Sequence, residues 1–204
     1  MTAILKVDTI QDTSGNNIIN ESSDTITIGA SGDTIALAGT TVTGITQGIT
    51  VADQWRVTSS ASFSTSGADV TANLEQVDTT GQGTIGTAMT ESSGIFSFPQ
   101  TGIYRVDAQF SFYLNGDTRW IYSLIKGTTD NSTYNNLAGN YHFIQQTGGT
   151  STYTGSYIST LFDVTNTSNC KVKFHVDTQA GTPYYYADTN INTTCFTFTR
   201  LGDT

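Results

Sequence analysis

The chain is short of the residues on which several functional classes depend. Its 204 residues include two cysteines, two histidines and eight lysines and arginines against 17 acidic residues, which gives a net charge of -9. Two cysteines are too few to cross-link a secreted domain of this size. The basic residues form no cluster, and phosphates are bound mainly by lysine and arginine, so we expect no nucleic-acid binding.

Long apolar runs and an export signal are missing as well. Nowhere do eighteen apolar residues follow one another, and the opening Met1 to Lys6 is not a basic segment followed by an apolar run. A membrane-spanning helix needs about 20 apolar residues, and a signal peptide needs a basic start and an apolar stretch. We therefore expect no membrane insertion and no export, and assembly in a reducing cytoplasm.

The two cysteines are predicted to be buried and free. Cys170 alternates with Val172 and Phe174, whereas Cys195 alternates away from Phe196. Alternate residues of a strand point to opposite faces, so the two thiols point to different sides if the aromatic residues share one core. A β-bulge would reverse this arrangement.

No catalytic, metal-binding or cofactor-binding motif is recognisable. The sequence has no Gly-x-Ser-x-Gly element, no phosphate-binding loop and no closely spaced pair of His or Cys, which are the local signatures of common hydrolases, nucleotide enzymes and metal sites. His175 shares its strand face with Lys173 and Asp177, where a solvated side chain is expected. We therefore expect no catalytic residue, no metal and no cofactor.

The abundant residues indicate β-structure. Thr, Ser, Gly and Asn dominate the chain, with 12% charged and 36% hydrophobic residues, a composition typical of strands, turns and hydroxyl-rich surfaces. No aromatic residue precedes Trp55, and all the Trp, Tyr and Phe residues lie from there onward. This shift near residue 53 separates a head (53–204) from the rest of the chain. The part before it is divided into an N-terminal segment (1–23) and a stalk (24–52), which begins with the repeat described next.

The stalk is predicted from a short repeat. DTITIGASG at 24–32 is followed by DTIALAGTT at 33–41. One copy buries too few aliphatic side chains to offset an ordering entropy of about 1–2 kcal/mol per residue, so parallel copies from other subunits are the favoured source of burial. We expect an extended β stalk intertwined from three chains, and a flexible Gly/Ser/Thr linker is the alternative. The predicted packing residues are Ile26, Ile28, Ile35, Leu37, Val42 and Ile45.

The head is predicted to be an antiparallel sandwich of short strands with jelly-roll topology. Residues 103–114 alternate between apolar and polar side chains, which indicates a long half-buried strand. Residues 119–126 are apolar on both faces, so Trp120 and Tyr122 are predicted to pack against a neighbouring subunit. Further strands are expected at 55–59, 84–89, 94–98, 157–164, 169–177 and 194–201.

Aromatic, hydroxyl-rich loops between these strands are the candidates for receptor binding. Tyr supplies rigid contact area with a polar tip, and Asn, Ser and Thr supply adaptable hydrogen bonds, a mix that suits sugars or protein epitopes. The alternative is that the tyrosines pack between subunits or cap the sandwich. The candidate residues are Tyr134, Tyr141, His142, Tyr153, Tyr184, Tyr185 and Tyr186.

One segment of the head resembles a known family. GIFSFPQTGIYRVDAQFSF at 94–112 is similar to the core segment of tumour necrosis factor ligands and of the globular head of the complement component that recognises immune complexes. Pro99-Gln100-Thr101-Gly102 departs from the adjacent Pro-Gly of the complement-type heads. The resemblance spans roughly 55–202 and implies a trimeric jelly roll. The matching positions are Gly94, Phe96, Pro99, Gly102, Tyr104, Gln109 and Phe112, with Phe196, Phe198 and Leu201 in the closing strand.

The N-terminal segment carries a second resemblance. ILKVDTIQDTSGNNI at 4–18 is similar to the opening of structural proteins of marine bacteriophages. Together with a stalk and a trimeric head, this similarity implies a homotrimeric tail fibre or head fibre. Other tail or capsid proteins would hold its N-terminus through Ile4, Leu5, Val7 and Ile10, and its head would project from the virion toward a host-surface glycan or protein.

Three alternatives to an attachment fibre remain at this stage. A capsid decoration or cement protein would have the same architecture without a receptor. A glycan-degrading tailspike would use two carboxylates, but the chain has only three glutamates. A soluble signalling ligand would need the export signal or membrane anchor that we do not find.

Overall fold

A computed structural model of the protein describes residues 48–204. Over this range the chain is all β, with no helix and therefore none that could span a membrane. The N-terminal anchor residues and the stalk packing residues lie outside the described residues. The strands are β1 (Ala52–Val57), β2 (Ala61–Ser62), β3 (Ala68–Asp69), β4 (Leu74–Gln76), β5 (Thr90–Ser92), β6 (Ile95–Ser97), β7 (Gly102–Leu114), β8 (Ile121–Thr128), β9 (Asn135–His142), β10 (Thr152–Val164), β11 (Lys171–Thr178), β12 (Tyr184–Tyr185) and β13 (Cys195–Gly202).

The strands form two sheets that pack face to face. The first sheet has the order β2-β12-β7-β13-β1-β4, with β10 on the other edge of β7. The second has the order β5-β6-β11-β8-β9, with β3 beside β11. Every pair in the described range is antiparallel. The expectation of an all-β antiparallel sandwich is confirmed for the described part of the head.

An aromatic cluster fills the space between the sheets. Phe96 from the second sheet is fully buried and meets Phe174 and Phe198 at ring-centroid distances of 5.5 and 5.0 Å. Phe174 in turn stacks on Phe196 of the first sheet, with 3.6 Å between ring centroids. Buried aromatic pairs of this kind add about 0.5–1.5 kcal/mol beyond their area burial, so these four rings help to hold the two sheets together.

The positions that carry the family resemblance have clear physical roles. Gly102 has a φ of +140°, and a Cβ atom there would lie 2.5 Å from Nε of Arg200 and from the carbonyl oxygen of Gly202. Only glycine tolerates both the backbone angle and the close approach. Tyr104 is fully buried, and its hydroxyl donates to the carbonyl oxygen of Gln100 at 3.1 Å. The predicted turn at Gly102 and the inward direction of Tyr104 are confirmed.

Some strand predictions were wrong in position. Residues 84–89 form no strand; they fold across the edge of β1 with one bridge from Ile85 to Ala52, and the strand follows at Thr90–Ser92. The strand predicted at 119–126 begins only at Ile121, because Arg119 has a φ of +60°. The strand predicted at 157–164 already begins at Thr152, where β10 pairs with the whole of β7.

Asp53 is a buried carboxylate that connects β1 to the segment crossing its edge. It is 1% exposed. One oxygen accepts from Nε1 of Trp55 at 2.8 Å and from the backbone N–H of Met89 at 2.9 Å. The other accepts from Nε2 of Gln76 at 2.9 Å and from Oγ1 of Thr84 at 3.3 Å. With the backbone N–H of Gln54, which donates to the second oxygen at 3.0 Å, five donors from three parts of the chain converge on one side chain that no cation neutralises in the described structure.

Both cysteines are buried and free, as predicted. Cys170 is fully buried with the inward residues of β11, whereas Cys195 pairs with the outward-facing Gln109 and is 9% exposed. Burial raises the pKa of Cys195 to about 11. The thiolate, which is the reactive form, is therefore strongly disfavoured near neutral pH.

Because both thiols are buried, we expect neither to react with Ellman's reagent at about pH 8 while the protein is folded. An exposed thiol with an ordinary pKa of about 8.5 would be partly ionised at that pH and would react. Addition of a denaturant should release two reactive thiols per chain. The measurement is absorbance of the released thiol product before and after unfolding. Rapid reaction of one thiol in the native protein would contradict the burial of Cys195.

Candidate functional site

The tyrosines predicted in loops lie mostly in strands. Tyr141 and His142 end β9, Tyr153 is in β10, and Tyr184 and Tyr185 form β12. The loop prediction was wrong for these five residues. β9 escaped prediction because its sequence NNLAGNYH is rich in Asn and Gly, which disfavour strands, whereas pairing along the whole of β8 overrides that preference.

Four tyrosines cluster on the outer surface of the first sheet. Tyr113 of β7 stacks between Tyr153 and Tyr184, with ring-centroid distances of 5.5 and 5.1 Å. The ring of Tyr186 contacts Tyr113 and Tyr153 edge-on at 6.0 and 6.1 Å. Tyr153 is 62% exposed, and Tyr184 and Tyr186 are more than one third exposed. We call these four residues the tyrosine cluster.

The same outer surface continues along β10. Tyr157 and Leu161 follow Tyr153 at intervals of four residues on the same strand face and are 53% and 64% exposed. The hydroxyl of Tyr157 donates to Oδ1 of Asp107 at 2.6 Å and accepts from Nη2 of Arg105 at 2.8 Å. The tyrosine cluster together with Tyr157 and Leu161 is an exposed, largely aromatic surface, which we call the tyrosine face.

The structure brings together only some of the predicted receptor residues. Tyr153, Tyr184 and Tyr186 meet in the tyrosine cluster, but Tyr185 is buried, and burial raises its pKa. Tyr185 therefore offers no surface to a receptor. Sequence reasoning missed Tyr113, although its position two residues after Ser111 places it on the polar face of the same strand.

A second aromatic group lies on the outer face of the second sheet. Tyr122 and Tyr141 are directly opposed across β8 and β9, and their rings stack with 4.0 Å between centroids. Trp120 meets Tyr141 edge-on at 5.7 Å. The ring of Tyr122 lies over Gly139, where a Cβ atom would come within 2.7 Å of it. Trp120 and Tyr122 are partly buried within a single chain, and their role in subunit packing stays a prediction.

A polar network flanks that group. Asp69 accepts from Nζ of Lys173 and bonds to Nδ1 of His175, both at 2.7 Å, and Nζ of Lys173 lies 4.4 Å from the ring centroid of Tyr134. Burial alone would raise the pKa of Asp69, but the hydrogen bonds and charges of Lys173 and His175 outweigh it and lower the pKa. The prediction of a solvated His175 was wrong, because Asp69 from β3 reaches it across the sheet.

The two histidines of the described residues lie apart, and no candidate metal cluster is found there. His142 pairs with the inward-facing Ile121, and His175 pairs with the outward-facing Leu124, so the two imidazoles are on opposite faces of the second sheet. Burial lowers the pKa of His142, whose Nε2 atom has no hydrogen-bond partner in the described range. Within residues 48–204 no group of three or more His, Cys, Asp or Glu is placed to hold a metal ion.

Comparison with solved structures identifies the architecture. The chain is similar to the structure of Eiger TNF from S. frugiperda, with a TM-score of 0.57 and 14% identity, over 78% of this chain and 96% of that one. It is also similar to murine APRIL, with a TM-score of 0.52 and 14% identity, over 74% of this chain and 98% of that one. The fold is a TNF-like jelly roll. The resemblance seen in residues 94–112 is thus confirmed at the level of the fold.

No protein-family model matches the chain, and no curated protein matches it. At 14% identity the structural similarity establishes the fold alone.

Proposed function

We propose that this protein is a non-enzymatic bacteriophage fibre: a homotrimer that is attached by its N-terminal segment to the tail or capsid and carries the jelly-roll head outward for attachment to a host surface. The observation that carries the proposal is the tyrosine face on a TNF-like jelly roll. The proposed attachment of the N-terminal segment to the virion rests on the similarity of residues 4–18 to phage structural proteins.

The tyrosine face supports a second copy of the chain as its occupant. Monomeric proteins rarely expose a large contiguous aromatic surface, and such surfaces commonly mark interfaces. Tyr is enriched at interfaces because it combines large contact area with a hydrogen-bonding tip. The hydroxyl of Tyr157 is hydrogen-bonded to both Arg105 and Asp107, so some polar groups of this surface are already paired before it is covered.

The remaining receptor candidates lie apart from the tyrosine face. Tyr141 stacks on Tyr122 and Tyr134 contacts Lys173 on the outer face of the second sheet. If subunits meet through the tyrosine face of the first sheet, the second sheet stays available to a host glycan or protein. This division assigns subunit contact to one sheet and attachment to the other.

The proposal is tested by the mass and incorporation of the full chain. We expect multi-angle light scattering to give a mass three times the 21.8 kDa of one chain, at micromolar protein concentration. A variant without residues 1–23 should remain trimeric and fail to be incorporated into phage particles, as measured by immuno-electron microscopy. A stable monomer of the full chain, or normal incorporation of the shortened one, would refute the corresponding half of the proposal.

A further inference from the structure

A cleft between two loops of the head has features that neither the fold nor the tyrosine face explains. Asp117, Arg119, Phe143, Ile144 and Gln145 line it, and its volume is about 260 Å³. Pockets for drug-sized ligands measure about 300–1,000 Å³, so this one suits a single small ring. Ile144 is buried and forms the floor, whereas Phe143 is 63% exposed at the rim.

Hydrogen bonds hold the two walls of the cleft together. The buried Thr118 donates its backbone N–H to the carbonyl oxygen of Ile144 at 3.1 Å, and its hydroxyl oxygen accepts from the N–H of Ile144 at 2.8 Å. The N–H of Gln146 donates to Oδ1 of Asp117 at 2.6 Å. The walls are therefore fixed relative to each other before any ligand arrives, which lowers the entropy cost of binding.

The backbone at Arg119 is strained. Its φ is +60°, and the N–H of Trp120 bonds to the carbonyl oxygen of Thr118 at 2.7 Å. This is a γ-turn of the positive-φ type, which is rare and strained. Glycine would adopt this conformation at little cost. A non-glycine residue in a strained turn is an observation from which a functional role can be inferred.

The guanidinium of Arg119 is also unusual for this chain. Among the basic side chains of residues 48–204, only Arg119 and Lys126 have no ion pair or hydrogen bond within the structure. The chain carries a net charge of -9, so an unpaired arginine is not explained by a shortage of acidic partners. Its donors are available to a ligand.

We propose that this cleft binds one neutral sugar ring of a glycan, with Phe143 as the stacking surface, Arg119 as the donor to ring hydroxyls and Asp117 as the acceptor. The inference deepens the attachment role and rests on the proposed function for its biological meaning. An aromatic ring beside one hydrogen-bond donor and one acceptor matches a sugar ring, which has an apolar face and hydroxyls that both donate and accept. A carboxylated sugar fits less well, because it would meet Asp117 and the negative field of the whole chain.

The test uses the full chain and defined probes. Methyl glycosides of glucose, galactose, mannose and N-acetylglucosamine, and the methyl glycoside of glucuronic acid as the acidic probe, are titrated by saturation-transfer NMR. We expect at least one neutral glycoside to bind with a dissociation constant of roughly a millimolar, as befits one ring. The acidic probe should bind more weakly than its neutral counterpart.

Two variants and two matched controls assign the site. Arg119→Gly removes the guanidinium and relieves the backbone strain, so it should weaken binding at least tenfold while the urea midpoint stays the same or rises. Phe143→Ala should weaken binding to the same extent. Lys126→Ala, which removes the other unpaired cation, and Ile191→Ala, which removes a side chain that is also 63% exposed, should leave binding unchanged.

Every result decides the proposal. The proposal is overturned if all neutral probes fail to bind, if the Arg119 or Phe143 variant binds as tightly as the unmodified protein, or if the acidic probe is preferred. A trimeric mass without sugar binding would remove this inference and leave the fibre proposal standing. Sugar binding by a monomer would support this inference and refute the trimeric fibre.

Discussion

Replacement of Asp53 by alanine is expected to lower the free energy of unfolding by about 4 kcal/mol. The substitution leaves the indole N–H of Trp55 and the backbone N–H of Met89 without their acceptor. It also removes one of the two acceptors of the side-chain amide of Gln76, which keeps its bond to Oγ1 of Thr84. Each buried donor left unsatisfied costs about 1–3 kcal/mol. Because natural domains are stable by only about 5–15 kcal/mol, this single change should remove a large part of the stability of the head.

The effect is measured by urea unfolding followed by tryptophan fluorescence, at one fixed protein concentration because the stability of an oligomer depends on it. Asp53→Asn keeps one acceptor oxygen and should lose less than the alanine variant. Asp163→Ala is the surface control, since that side chain is exposed and makes no hydrogen bond in the described structure. A midpoint for Asp53→Ala within error of the control would show that the Asp53 network contributes little.

If the chain forms the proposed trimer, Tyr153→Asp is expected to convert it to monomers without unfolding the head. In a single chain this side chain is 62% exposed, so the fold itself should accept a charge there. In a trimer joined through the tyrosine face, the carboxylate would be buried without a partner. A cost of about 3 kcal/mol per interface corresponds to more than a 100-fold weaker association, and three interfaces add to it.

Light scattering and circular dichroism separate dissociation from unfolding. Tyr153→Phe keeps the ring and should remain trimeric. Phe143→Asp introduces the same charge at an aromatic side chain of nearly equal exposure, 63%, away from the tyrosine face, and should also remain trimeric. Trp120→Asp tests the prediction that Trp120, beside the second sheet, packs against a neighbouring subunit. If Trp120→Asp dissociates the protein and Tyr153→Asp does not, the interface lies on the second sheet and the tyrosine-face assignment is refuted.

The fold was largely predictable because alternation in a strand is a local property. Residues 103–114 read correctly as one half-buried strand, and the observed β7 covers Gly102–Leu114. The predicted side-chain directions of Cys170 and Cys195 are also confirmed, because each follows from the number of residues that separates it from a neighbouring aromatic residue in the same strand. β9 and the segment at 84–89 were misread because their structure depends on pairing and on hydrogen bonds to Asp53, which are long-range.

The candidate sites were predictable only in part. Tyr153, Tyr184 and Tyr186 were identified as functional candidates by their residue type, but their grouping with Tyr113 depends on the register in which β10 and β12 pair with β7. The cleft at Arg119 has no sequence signature at all. Its walls come from residues 117–119 and 143–145, which are joined by hydrogen bonds of Thr118.

The amino-acid sequence by itself determined that the head is an antiparallel all-β sandwich, which strand faces enter its core, and that its thiols stay apart, because side-chain alternation and turn residues act over a few neighbours. Tertiary structure alone decided which tyrosines form one surface, that the buried carboxylate of Asp53 accepts from five donors, and that an unpaired arginine lines a cleft. These features depend on strand register and on loops that meet from distant parts of the chain, and a shift of one residue in register turns every side chain of a strand to the other face.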